Sequence, residues 1–219
     1  MAERSGATMM RKYLEEMGAD FWWEWVVVTM GGFFLSLILI EVGEKPDLGL
    51  RAGLIGGGVI GLAQSWVLRE YVAHSWRWMW MSTIAWGLVG GSSLGLVGWI
   101  APAGEAIVFR TIYGALHGAA FGIWMGVAQW FALRQNITRA WRWPWILALC
   151  WSVGLGLGWT FGGVLRVLTG MFLGELVGLT IAWLTVASLT GIALNRLLRG
   201  GKKTYTPPEG SKSKSKRQS

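Results

Sequence analysis

Sulfur and imidazole are scarce in this chain. It has one cysteine, Cys150, and two histidines, His74 and His117, which excludes an intrachain disulfide, a cysteine metal cluster and a histidine-rich metal site. Charge is scarce as well: Asp, Glu, Lys and Arg make up 15% of the residues, against about a quarter in an average soluble domain. No Ser/His/Asp set, His-Glu-x-x-His, Cys-x-x-Cys or phosphate loop occurs, so no enzyme is expected. No alternating strand pattern accompanies the glycines, which excludes a dinucleotide fold. No small-residue cleavage site adjoins the first apolar run, which is therefore expected to be a retained span and not a signal peptide.

What remains is apolar and aromatic. Hydrophobic residues make up 53% of the chain, with 33 Gly, 17 Trp and a mean hydropathy of +0.43, a composition that belongs in lipid. The net charge of +8 and pI near 10.1 come from basic residues in short gaps between apolar runs and in the last twenty residues. That is a pattern of membrane orientation, and it excludes a nucleic-acid groove.

The apolar sequence repeats. Gly61-Leu62-Ala63-Gln64-Ser65-Trp66-Val67-Leu68-Arg69 returns 65 residues later as Gly126-Val127-Ala128-Gln129-Trp130-Phe131-Ala132-Leu133-Arg134. Trp76-Arg77-Trp78-Met79-Trp80 returns as Trp141-Arg142-Trp143-Pro144-Trp145, and Gly53, Gly57 and Trp86 as Gly118, Gly122 and Trp151. A further shift places Gly191, Leu198 and Arg199 on Gly61, Leu68 and Arg69. The expected fold is an all-α integral membrane protein of six transmembrane helices, built from 2.5 to 3 parallel two-helix repeats (51–115, 116–180 and a partial 181–199). Spans 1 and 6 would close an approximately three-fold bundle.

Residues 1–20 read as an amphipathic interfacial helix, with Met9, Met10, Tyr13, Leu14 and Met17 on one face. The spans follow at 21–40, 49–68, 78–100, 111–133, 145–168 and 172–197, within a transmembrane domain of 21–199. Trp22, Trp23 and Trp25 mark an interfacial end, and Pro46, Pro102 and Gly104 break the chain between spans. The tail, 200–219, reads as disordered, basic and close to acidic lipid, with serines at 211, 213 and 215 between its lysines. Six spans put sixteen of the twenty Lys and Arg on one side, making both termini cytoplasmic in a multi-pass protein of a bacterial inner or thylakoid membrane.

Several residues admit two readings. Glycine ladders such as Gly114, Gly118, Gly122 and Gly126 pack helices closely, or line a thin pore or flat ligand. Gln64 and Gln129 make interhelical hydrogen bonds or bind substrate, while Arg69 and Arg134 snorkel or cap carbonyls. The clusters Trp76, Arg77, Trp78, Trp80 and Trp141, Arg142, Trp143, Trp145 are interfacial anchors or a docking surface. His117 and Glu175 lie at similar depth, as a structural pair or an intramembrane proton or substrate site.

The pattern Gly-x-Ala-Gln-Trp-x-x-Leu-Arg, followed by a Trp-rich turn and Gly-rich span at 126–158, resembles a group of uncharacterised bacterial, cyanobacterial-type multi-spanning proteins. The likeness extends over about residues 50–200, and the first copy departs from it at Ser65. It implies a membrane protein and no particular activity. The sequence thus leads to a structural or accessory membrane protein, or a holder of a hydrophobic ligand such as lipid, quinone or pigment. Its partners would be anionic headgroups on the cytoplasmic face and a larger membrane complex. The alternative is a small-solute or ion transporter or channel.

Overall fold

A computed structural model describes residues 2–40, 48–92 and 106–200, with side chains in the first segment from residue 19. The amphipathic face of residues 1–18, the breaks at Pro46, Pro102 and Gly104, and the tail beyond Gly200 lie outside the described side chains or residues. The described residues form helices α1 (Ala2–Leu39), α2 (Leu50–Leu68), α3 (Trp76–Gly91), α4 (Ile107–Leu133), α5 (Trp143–Thr169) and α6 (Leu173–Gly200), with a 3-10 turn at Ala140–Arg142. The helix expected to end near residue 20 instead runs on through α1, because no proline interrupts the backbone there.

Local chemistry sets the ends of α5. Pro144 occupies its first turn, where a missing N–H costs nothing. Gly170, at φ 67°, closes it with its N–H on the Arg166 carbonyl at 2.8 Å. Each helix packs against its neighbours in chain order, and α6 returns to α1, so the six helices form a closed ring.

The glycines set the spacing between helices. A Cβ on Gly53 would strike the Trp86 carbonyl, and one on Gly118 the Trp151 carbonyl, 65 residues along in each partner. Gly61 faces the Met79 backbone as Gly126 faces that of Pro144. Between α5 and α6, Gly158 and Gly178 lie back to back. These contacts put the ladders between helices, where small residues let backbones approach in the absence of a hydrophobic drive.

Among the described residues three helical stretches are long and apolar enough to cross a membrane: Ala19–Leu39, Ala140–Thr169 and Leu173–Gly200. This corrects the sequence expectation of six transmembrane spans, since three helices and not six meet that measure. Gly53, Gly56, Gly57, Gly58 and Gly61 dilute α2, and Arg110, His117 and Gln129 with four ladder glycines dilute α4. The described part of α3 is only 16 residues long. All six helices nevertheless turn large apolar side chains outward, including Ile38, Leu62, Leu88, Leu116, Leu149 and Leu184. In water so continuous an apolar exterior would aggregate.

Candidate functional site

The polar groups inside the bundle fall into two clusters. The first lies toward the end bearing the turns after α2 and α4. An indole N–H only donates, so it fixes which end of a facing amide it meets. Trp78 donates to Gln64 Oε1 at 3.0 Å, turning the Gln64 amide nitrogen toward Thr29 Oγ1 at 3.1 Å. Trp143 donates to Gln129 Oε1 at 2.9 Å, and the Gln129 nitrogen reaches Ser82 Oγ at 3.1 Å. In the third sector Trp25 donates to Thr190 Oγ1 at 3.1 Å, and the threonine hydroxyl donates back to the Val186 carbonyl at 2.6 Å.

Trp25, Trp78 and Trp143 also touch in series, with ring centroids 5.8 Å apart at each step. Next to them Trp86, Trp151 and Trp183 form a mutually contacting trio at 5.1 to 6.1 Å. The space left among these residues measures about 30 Å³, room for about two waters. Trp183 lines it, and its N–H has no acceptor among the described residues.

The second cluster lies near the other end of the bundle. Arg110 donates through one amino nitrogen to both Glu175 oxygens, at 2.7 and 2.6 Å, and through Nε to the Trp159 carbonyl at 3.1 Å. Arg166 stands 3.6 Å from Glu175 Oε1. Arg110 and Glu175 are each 4% exposed, so the pair is withdrawn from solvent and held by charge-assisted bonds.

The pairing of His117 with Glu175, one of the readings their similar depth admits, does not form. His117 is half-buried, with Nδ1 2.9 Å from the Tyr113 carbonyl and its ring 5.5 Å from that of Trp159. Arg110 and Arg166 are among the four basic residues that the charge count of the six-span reading leaves on the outer side, yet Arg110 is buried in the bundle and Arg166 approaches Glu175. The missed signal is spacing, because Arg110 continues the four-residue ladder of Gly114, Gly118, Gly122 and Gly126 and so points at α5 with them.

The Trp/Arg clusters divide. Trp76, Trp80, Trp141 and Trp145 are exposed, as an interfacial anchor requires, and Arg77 and Arg142 lie over Trp76 and Trp141 at 5.9 and 5.5 Å. Trp78 and Trp143, expected at the surface, are instead in the core because helical rotation turns the middle tryptophan of each cluster inward. Of the three early tryptophans, Trp23 is exposed, Trp25 is buried, and Trp22 donates to the Ser188 carbonyl at 3.0 Å. Arg69 and Arg134 lie over aromatic rings, Arg69 on Trp66 at 3.6 Å and Arg134 on Phe131 at 4.7 Å. The two turns also bind each other, Arg77 donating to Gln135 and Asn136 to the Ala73 carbonyl.

Among the described residues no group of three His, Cys, Asp or Glu side chains is arranged to hold a metal ion. No protein-family model, curated protein or solved structure matches the chain.

Proposed function

We propose that this chain is a six-span membrane protein with a structural or accessory role, statically packed and built to be a partner in a larger membrane assembly. The observation that carries the reading is the filled centre of the ring. Every helix contributes to the hydrogen-bonded or aromatic cluster there, and among the described residues the space left within that cluster is water-sized. Both ends of Gln64 and Gln129 are already bonded within the protein, which leaves no free amide group to bind a solute. Polar residues from different helices do converge, as a carrier would need, but apart from the Trp183 N–H the side chains of the network bond to one another. A quinone or pigment would have to lie on the outside of the ring.

Six spans are supported by the outward apolar residues on α2, α3 and α4 and by the closed ring. The repeat is supported by corresponding bonds at corresponding positions, Trp78 to Gln64 and Trp143 to Gln129. Span 1 enters this scheme with a different offset: Trp25, Thr29 and Phe33 stand 53 residues before Trp78, Ser82 and Trp86. The bond between the turns after α2 and α4 supports an orientation with both on one side, and their basic residues favour the cytoplasmic side of a bacterial inner or thylakoid membrane.

Gentle detergent extraction followed by native mass spectrometry tests the role, and the expected result is a complex with another membrane protein. A lone chain, combined with solute flux through reconstituted liposomes, would replace this reading with a transporter. Topology is tested in a Cys150→Ser background. Ala73→Cys and Gln135→Cys should label from the cytoplasm and Lys45→Cys from outside. Labelling of Gln135→Cys from outside removes the six-span scheme.

A further inference from the structure

Between the start of α5 and the end of α6 the outer surface carries a groove of about 470 Å³, within the roughly 300–1,000 Å³ of small-molecule sites. Its mouth is formed by Arg139, Arg142 and Arg196, all exposed. Among the described residues none of the three makes an ion pair, and no carboxylate lines the groove. Below the mouth the walls are apolar, with Leu149 on α5 and Leu189 and Ile192 on α6. Leu149 is seven residues from Arg142 and Leu189 seven from Arg196, so each wall descends about 10 Å from its arginine.

A cationic rim over an apolar cleft of that depth matches one amphiphile, a phosphate headgroup with an acyl chain beneath it. The groove is also at the end of the bundle where the basic turns gather, which is headgroup level in the orientation proposed above. The tail that follows Gly200 is a poor alternative occupant, since it carries Lys202, Lys203, Lys212, Lys214, Lys216 and Arg217 against a single acid, Glu209. Like charge would repel it from the three arginines.

We propose that this groove is a specific site for an anionic phospholipid, with Arg139, Arg142 and Arg196 holding the phosphate and the α5/α6 cleft holding one acyl chain. The proposal rests on the membrane reading above.

The test places the full chain in nanodiscs of equal phosphatidylglycerol and phosphatidylcholine and counts retained lipids by native mass spectrometry. The wild-type chain should keep phosphatidylglycerol in preference to phosphatidylcholine. Retention should fall about tenfold in Arg139→Gln/Arg142→Gln/Arg196→Gln, and likewise in Leu149→Trp, which blocks the cleft without touching charge. Arg69→Gln/Arg77→Gln removes two charges from the same end outside the groove and should leave retention unchanged. Equal loss in that control, no loss in the triple variant, or displacement of the lipid by inorganic phosphate each overturns the site. A chain that fails to enter nanodiscs sinks the membrane reading and this site together, whereas insertion without selective retention sinks only the site.

Discussion

The two polar clusters inside the bundle solve one problem in different ways. Near the basic turns, neutral groups from all six helices bond in short chains, so that Thr29, Gln64, Ser82, Gln129 and Thr190 share the work with three indoles. Near the other end, one carboxylate on α6 is held by two guanidinium groups from α4 and α5. A neutral network spread over many helices loses little when one member goes, because each bond contributes about 1 kcal/mol. A buried ion pair concentrates its energy: removing one partner leaves a stranded charge, whereas removing both leaves none. The first cluster therefore ties the whole ring together, and the second pins α4, α5 and α6 to one another.

The largest expected effect breaks the second cluster. Arg110→Met leaves Glu175, among the described residues, with the more distant Arg166 and should cost about 3 to 5 kcal/mol of stability. Arg110→Met/Glu175→Leu should recover most of that loss. Thermal unfolding in detergent, followed by circular dichroism, measures both, and a double variant as unstable as the single would mean the pair is not a self-contained unit.

Next come the glycines that bring these clusters into range. Gly118→Ala and Gly53→Ala would each push a methyl group against a carbonyl of the facing helix, for about 1 to 3 kcal/mol of overpacking. At Gly156, where the nearest neighbours of an added Cβ lie 3.6 Å away, the same change should be close to neutral. Equal effects at Gly118 and Gly156 would remove the close-packing account of the ladders.

Smaller effects sharpen the neutral side of the contrast. Gln64→Leu and Gln129→Leu should each cost about 1 to 2 kcal/mol, with similar values because each breaks an indole bond and a hydroxyl bond. The two sites meet through α3, which carries both Trp78 and Ser82. A double-mutant cycle should therefore show coupling of about 0.5 kcal/mol or more. Strict additivity would separate the two sectors. His117→Ala should change stability by less than about 0.5 kcal/mol, since its one described hydrogen bond is to the Tyr113 carbonyl one turn back on its own helix. A loss as large as that at Arg110 would restore His117 as a buried partner.

The sequence by itself determined the helical class, the approximate positions of the helices and the four-residue spacing of the glycines. These depend on composition and on spacing along one chain, and helical periodicity carries both. Only the tertiary structure decided which tryptophans are core and which are surface. Trp76, Trp78 and Trp80 have one chemistry and differ only in rotation about α3, so their fates depend on what stands opposite each. It also decided that Glu175 meets Arg110 and not His117. Depth along two helices can be read from residue counts, but partnership also requires that two faces point at each other, and α4 directs Arg110 inward on the same stripe as its glycines while His117 falls beside it.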